Sequence, residues 1–364
     1  MRKPSEREYL VALYAYLSFG PARIKLLRDY FRSAEKVWGL SRAELLKVGL
    51  SQKIVSGFVN HRNKFSFSEY FNRLKILKID YITIDDNNYP NNLIDLTNAP
   101  VVLYIKGNIN ANDDNAVAIV GSRRMTTYGR EVTEKFSTEL ASLGVTIVSG
   151  LALGIDAAAH RAALSVNGRC IAVLASGLDT VSPVTNRWIA DEIIKRNEGA
   201  IISEYPLGFP PMRGNFANRN RIISGLAKAV LVVEGKRKSG TILTANAAAE
   251  QGRQVFAVPG EITSPMSEAP YFLIENGAKM AVKTKDILDD LDMQLMVDKD
   301  SIGKVLPSSK EEEKLLNILN SQPMHVDEIA RESKMGVNDV SAKLTMMELK
   351  GLVRNMSGGI YKKT

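Results

Sequence analysis

From residue 79 to residue 292, short apolar runs alternate with segments in which apolar residues recur at helical spacing. After the first run, Val132, Phe136 and Leu140 fall on one helical face. Short continuous apolar runs are typical of parallel strands that are buried on both faces. The pattern therefore predicts an α/β domain with a doubly wound, Rossmann-like sheet. The predicted strands are AVAIVG (116–121), VTIVSG (145–150), CIAVLAS (170–176), AIIS (200–203), AVLVVEG (229–235) and QVFAVPG (254–260).

The segments on either side of this region follow other patterns. Residues 1–78 show only helical periodicity, interrupted by glycine and proline, and predict a helical domain. Residues 293–308 lose periodicity and predict a linker. Residues 309–364 predict three helices, the second over about 326–333 and the third over about 338–350, followed by two short strands joined by Ser-Gly-Gly. That order predicts a winged helix-turn-helix domain.

Charge is concentrated at the start of the chain. The net charge is +8, and residues 1–75 hold 15 Lys and Arg against 6 Asp and Glu. The basic character therefore belongs to the helical segment, and it favours a polyanionic partner without deciding which one.

Cysteine, histidine and hydropathy argue against several classes of protein. A single cysteine, Cys170, allows no internal disulfide and suits a reducing compartment. The three histidines are widely spaced and have no cysteine partner, so we expect no metal site. The N-terminus has no apolar signal region and no run approaches 18 apolar residues, so we expect a cytoplasmic protein without a membrane span.

Polar, glycine-containing loops follow the predicted strands, where doubly wound sheets bind ligands. Residues 121–124 (GSRR) offer amides, a hydroxyl and guanidinium groups that suit phosphate oxygens; the alternative is a tight turn with solvated arginines. In residues 149–156, Gly150 and Gly154 would let the loop fold over an anion. The alternative is that Gly154 makes room for helix packing and that Asp156 is the helix N-cap.

Two further loops are richer in cations. Residues 205–253 contain eight Lys and Arg against two Glu. There Phe216 precedes Arg219 and Arg221, a combination that suits single-stranded nucleic acid, because bases stack on the ring while arginines follow the phosphates. The alternative is a core Phe216 and an arginine in a structural ion pair. Residues 236–241 place three cations before Ser-Gly-Thr, which resembles a phosphate cradle without P-loop spacing.

The order and spacing of several motifs resemble the DNA-processing protein A (Smf) family of bacterial transformation. The resemblance implies an extended Rossmann-like domain, an N-terminal helix-hairpin-helix (SAM-like) domain and a C-terminal winged helix. It also implies sequence-independent binding of single-stranded DNA, homodimerisation, loading of RecA recombinase and protection of incoming DNA. The motifs are Tyr89-Pro90, Pro100–Gly107, Gly121–Arg123, Ser149–Asp156, Ser203–Pro206, Phe216–Ile223, Ser239–Thr241 and Phe256–Gly260.

The loop chemistry and the resemblance together predict a DNA-binding site without a catalytic residue, metal or cofactor. For the dimer, Tyr271, Phe272 and Ile274 form a candidate isologous patch, although they could equally pack their own helix against the sheet. The predicted DNA-binding residues are Gly121, Ser122, Arg123, Arg124, Gly150, Arg213, Phe216, Arg219, Asn220, Arg221, Lys236, Lys238, Ser239, Gly240 and Thr241.

Two alternative functions come from other classes. The first is a nucleotide phosphoribohydrolase, an enzyme of a family that resembles this fold. That family carries a catalytic glutamate at the position of Thr244, and a threonine cannot act as a useful general base near neutral pH. The second is a transcription regulator that acts through the winged helix. Its third helix offers few groove-reading side chains, with Asp339 and Glu348 opposing Lys343 and Lys350, and we expect an accessory or protein-interaction domain.

Overall fold

The computed structural model describes residues 2–197, 199–291, 310–319, 322–349, 352–356 and 358–363. The chain divides into two compact units, residues 1–294 and residues 295–364. The predicted linker over 293–308 lies outside the described residues. Within the described part of the chain, no helix is both long enough and apolar enough to cross a lipid bilayer.

Helices form the first part of the larger unit. A serine precedes five of them and accepts a backbone N–H of the first turn, which fixes where each helix begins. Their buried residues, such as Leu10 and Phe58, belong to the same core cluster as residues of the sheet. The boundary near residue 78 thus separates two sequence patterns within one compact unit. The helices are α1 (Glu6–Tyr14), α2 (Pro21–Phe31), α3 (Ala34–Gly39), α4 (Arg42–Lys47), α5 (Gln52–Lys64) and α6 (Phe67–Ile76).

Nine strands form one mixed sheet among the described residues, in the order β1-β2-β6-β5-β4-β3-β7-β8-β9. The six strands predicted from apolar runs are β3 to β8, and they are parallel, which confirms the doubly wound α/β sheet. β1 and β2 extend one edge as an antiparallel pair. The strands are β1 (Asp80–Thr83), β2 (Val102–Gly107), β3 (Ala116–Val120), β4 (Thr146–Ser149), β5 (Cys170–Val173), β6 (Gly199–Ser203), β7 (Ala229–Val232), β8 (Gln254–Ala257) and β9 (Lys279–Met280).

Helices cover both faces of this sheet. Along β3, Val117 and Ile119 join one core cluster with Phe136 of α8, and Ala118 and Val120 join another with α11 and α12 residues. β3 pairs with β4 on one side and β7 on the other, so the loops after β3 and β7 diverge and open a crevice. The helices are α7 (Asn91–Ile94), α8 (Thr127–Ser142), α9 (Ile155–Ser165), α10 (Arg187–Lys195), α11 (Arg213–Leu226), α12 (Gly240–Glu250), α13 (Glu268–Glu275) and α14 (Thr284–Leu291).

The second unit is a winged helix, as predicted. Three helices pack around a core that includes Leu315, Ile329, Val340 and Leu344, and its strands are ordered β10-β12-β11. The short strand β10, before the second helix, was not predicted. The elements are α15 (Lys310–Ile318), β10 (Met324–His325), α16 (Val326–Ser333), α17 (Val337–Leu349), β11 (Val353–Asn355) and β12 (Ile360–Lys363).

Candidate nucleic-acid interface

A cleft of about 620 Å³ opens at the carboxyl ends of β3, β4 and β7. The loops that follow these strands line it together with the first turns of α11 and α12. Of the predicted DNA-binding residues, all except Gly150 and Arg221 lie on its lining. Residues outside the predicted DNA-binding set lie there too: Val120, Ala152, Asp156, Ala217, Ile223, Gly235, Leu243, Thr244 and Met266.

The loop after β3 packs closely against the start of α9. The Ile155 N–H donates to the Ser122 carbonyl at 3.1 Å, and the Arg124 N–H donates to Ser122 Oγ at 3.0 Å. A Cβ on Gly154, where φ is +78°, would lie 2.2 Å from the same Ser122 carbonyl oxygen. A Cβ on Gly121 would lie 2.6 Å from Ile155 Cγ1. Only glycine allows this approach, which sets the backbone of the loop on the floor of the cleft.

A buried carboxylate at the end of β7 supports the same loop. Glu234 accepts the Thr126 N–H at 3.0 Å and also the Thr126 hydroxyl, while Thr126 Oγ1 accepts the Gly129 N–H at 3.0 Å as the N-cap of α8. The N-terminal end of a helix favours negative charge, so the start of α8 stabilises the charged carboxylate of Glu234. The carboxylate therefore joins the two loops that diverge at the crevice.

The surface of the cleft is positively charged. Five exposed cations lie on its lining, and none of them forms an ion pair with another described residue: Arg123, Arg124, Arg213, Lys236 and Lys238. The acidic residue of the described lining is Asp156, which is buried. Burial raises the pKa of its carboxyl, although the positive charge of Arg219 opposes this shift. Unpaired cations that converge on one cleft attract a polyanion.

Two helices begin at the cleft without a side-chain cap. The N-caps are Met212 for α11 and Ser239 for α12, and neither side chain caps its helix. The Ser239 hydroxyl is buried and reaches no partner among the described residues. Uncapped amides at a helix start, together with a free hydroxyl, suit the oxygens of a phosphate.

Phe216 lies on the cleft lining and is only partly buried. The guanidinium carbon of Arg123 is 5.0 Å from the centre of its ring, and that of Arg219 is 5.9 Å away. Phe216 belongs to none of the buried core clusters of the described residues. This placement supports the base-stacking interpretation over the core interpretation.

Arg219 is almost fully buried below the cleft, at 3% exposure. Its Nη1 donates to the carbonyls of Gly150 and Val173, both at 2.6 Å, and so ties α11 to the ends of β4 and β5. Burial lowers its pKa to about 10, so it stays charged at neutral pH. A Cβ on Gly150 would lie 1.9 Å from this Nη1. Gly150 therefore lies below the cleft, and Arg219, which reaches the lining, is held by backbone carbonyls and supports it.

Arg221 points away from the cleft into a buried cluster. Its Nη2 contacts Glu204 Oε2 at 2.5 Å, and the Tyr14 hydroxyl donates to the same oxygen at 2.6 Å. This is the structural ion pair that the sequence left open as an alternative. The cluster holds α11 against α1, two elements that are far apart in the chain.

Two residues in the first half of α9, Asp156 and His160, lie near the cleft but not as ligand-binding groups at its surface. Gly154 is the N-cap of α9, so the interpretation of Asp156 as N-cap is wrong; its carboxylate lies in the first turn and accepts the Gly150 N–H at 3.2 Å. His160 is fully buried one turn later, outside the cleft lining, and burial lowers its pKa to about 4. Its position is that of a packed helix residue.

The candidate dimer patch packs at least partly against its own sheet. Phe272 and Ile274 lie against the core cluster below α13, and the Tyr271 hydroxyl donates to the Gly260 carbonyl. The Arg237 guanidinium lies 4.7 Å from the ring centre of Phe272. The dimer stays a prediction.

Residues 80–292 match the sequence profile of DNA recombination-mediator protein A, and residues 304–359 match that of the DprA winged helix domain. The chain belongs to this family. The resemblance inferred from the motifs is thereby confirmed. Protein Smf from Synechocystis is 33% identical over 396 aligned positions, which cover 99% of each chain.

Two solved structures of the family resemble this fold. DNA processing protein A from Streptococcus pneumoniae gives a TM-score of 0.67 at 34% identity, covering 80% of this chain and 99% of that one. DNA processing protein A from Helicobacter pylori, described for its single-stranded DNA binding mode, gives a TM-score of 0.52 at 32% identity, covering 58% of this chain and 95% of that one.

Proposed function

We propose that this member of the recombination-mediator family binds single-stranded DNA in the cleft, largely independently of base sequence. The observation that carries the proposal is the cluster of unpaired cations around Phe216 at the crevice of the sheet. The single-stranded DNA binding mode described for the Helicobacter relative supports it. We further propose that a homodimer in the cytoplasm loads RecA recombinase on the bound strand and protects that strand.

The cleft offers each part of a nucleotide a matching group. Uncapped amides of α12, the Ser239 hydroxyl and the cations Arg123 and Lys238 suit phosphate oxygens. The Phe216 ring offers a face to a base. A duplex would present phosphates but no free base, so a single strand should bind more tightly.

Fluorescence anisotropy tests the binding step. A labelled thymidine oligonucleotide should bind more tightly than the same length of duplex, and other base compositions should bind about equally. Equal affinity for duplex and single strand would contradict the proposal. For the RecA step, filament formation on DNA coated with single-strand-binding protein should become faster when the chain is added.

The alternative functions receive less support from the described residues. Thr244, at the position of the hydrolase glutamate, is buried and donates its hydroxyl to the Gly240 carbonyl of its own helix at 3.3 Å. We therefore propose a binding protein and not a hydrolase; release of the base from purine nucleoside monophosphates would contradict this. In the winged helix, Lys343 forms an ion pair with Glu311 at 2.7 Å, which further weakens the case for a groove reader.

A further inference from the structure

Large apolar side chains are exposed beside the cleft, outside its lining. Leu153, in the loop after β4, is 47% exposed; Val184, in a 3-10 turn before α10, is 78% exposed; and Trp188, in the first turn of α10, is 51% exposed. Tryptophan is over-represented among the side chains that dominate binding energy at interfaces. None of the three lies on the cleft lining, and Val184 and Trp188 lie outside the family motifs.

Direct contacts connect this surface to the cleft. The buried Asn186 side chain donates to the carbonyls of Leu151 at 2.9 Å and Ala152 at 3.1 Å, and Ala152 lies on the cleft lining. The turn that leads into Trp188 is therefore fixed to the loop that carries Leu153.

The other end of that loop meets the loop after β3. A Cβ on Gly154 would lie 2.9 Å from Arg123 Cα, and the Arg123 guanidinium lies over Phe216. A chain of direct contacts thus leads from Phe216 through Arg123 and the loop after β4 to the turn before Trp188.

Cations accompany the tryptophan. Arg187 is exposed beside it, and its acidic neighbour, Asp191, is also exposed and lies 3.9 Å away, a separation at which an ion pair contributes little. Arg161 is exposed on α9, which packs against α10, and forms no ion pair with another described residue. An exposed aromatic ring beside exposed guanidinium groups matches the bases and phosphates of a single strand.

We propose that Trp188, together with Leu153 and Arg187, is a second contact for single-stranded DNA, which takes the nucleotides that leave the cleft past Arg123. A base stacks on the exposed indole, and the neighbouring guanidinium meets a phosphate. The occupant is the strand already held in the cleft, because the turn before Trp188 is hydrogen-bonded to Ala152 on the cleft lining. The inference rests on the proposed function and extends the site by a few nucleotides.

Tryptophan fluorescence provides a direct readout, because a base stacked on an indole quenches its emission. The chain has two tryptophans, and Trp38 packs among the aromatic rings of the N-terminal helices. An oligonucleotide of about 20 nucleotides should quench wild-type emission, and Trp188→Phe should abolish the quenching. An oligonucleotide of about five nucleotides, near the lower limit of single-strand site sizes, should fill the cleft without quenching.

Affinity measurements give an independent result. Trp188→Ala should weaken binding of the long oligonucleotide roughly 5- to 20-fold, because one stacked base is lost. Binding of the short oligonucleotide should weaken less than about twofold, because it does not reach Trp188. Leu26→Ala, which removes another exposed apolar side chain on α2, is the matched control and should leave both affinities unchanged.

The remaining outcomes separate this inference from the proposed function. If Trp188→Ala binds both lengths like wild type while Arg123→Ala binds them weakly, the second contact is wrong and the cleft stands. If Trp188→Ala weakens both lengths equally, the residue acts through Asn186 on the cleft loop, and the second contact is again wrong. If wild type binds neither length, the proposed function itself is overturned.

Discussion

At the scale of single residues, the two arginines of α11 show how far side-chain chemistry alone can mislead. Arg219 and Arg221 stand in a motif that suits phosphate binding. In the structure, however, Arg219 donates to backbone carbonyls and Arg221 forms an ion pair with Glu204. The carbonyl partners of Arg219 lie 69 and 46 residues away in the chain, so no local pattern could reveal them. The exposed Arg123 and Lys238, in contrast, lie where the strand-end loops predicted.

Phe216 offers the sharpest test of a single side chain. Phe216→Ala should weaken single-stranded DNA binding by about 1–3 kcal/mol, because a stacked base loses its aromatic face. Anisotropy measures the affinity and thermal unfolding serves as its control. A large fall in melting temperature with unchanged affinity of the folded protein would instead show that Phe216 is a structural residue.

His160 should make stability depend on pH. Burial lowers its pKa from 6.5 to about 4, so the unfolded chain binds this proton more readily than the folded one. The stabilising contribution is complete above about pH 6.5 and is lost as the pH falls towards 4, up to about 3 kcal/mol. Thermal unfolding across this range should show a smaller pH dependence for His160→Leu than for wild type. If the melting temperatures of the two proteins changed equally with pH, His160 would not be the source of the pH dependence.

At the scale of elements, the burial of a strand largely determines whether its sequence shows a recognisable apolar run. β3 to β8 are covered on both faces and therefore appear as continuous apolar runs. β1 has four residues, two of them exposed or half-exposed, and gave no clear pattern. β2 does begin with a buried apolar run, Val102–Ile105, which was not predicted as a strand. The crevice was predictable, because glycine-rich loops after parallel strands meet at one edge.

The contact between α1 and α11 gives a prediction at this scale. Tyr14→Phe removes the hydroxyl that donates to Glu204, and burial keeps that hydroxyl protonated by raising its pKa well above the usual range. Loss of a buried hydrogen bond to a charged group should lower the free energy of unfolding by about 1.5–3 kcal/mol. Tyr30→Phe, at an exposed position on α2, is the matched control for chemical denaturation. Equal stability of the two variants would show that the cluster does not support α11.

At the scale of the whole molecule, net charge and binding site lie in different places. The excess of positive charge belongs to the N-terminal helices, whereas the remainder of the chain is nearly neutral. The cleft is positive because the fold gathers exposed cations from three separate loops and buries the one acidic residue of the described lining. A count of charges along the sequence could suggest a polyanionic partner but could not locate its site.

The most direct test of the cleft is the salt dependence of single-stranded DNA binding for wild type and Arg123→Ala. Each phosphate neutralised on a single strand contributes a slope of about 0.7 in log affinity against log salt. Arg123→Ala should weaken binding for every base sequence alike and lower the slope by about 0.7, whereas Lys135→Ala, exposed on α8 outside the cleft, should change neither. If Arg123→Ala keeps the wild-type affinity and slope, the strand does not lie in the cleft.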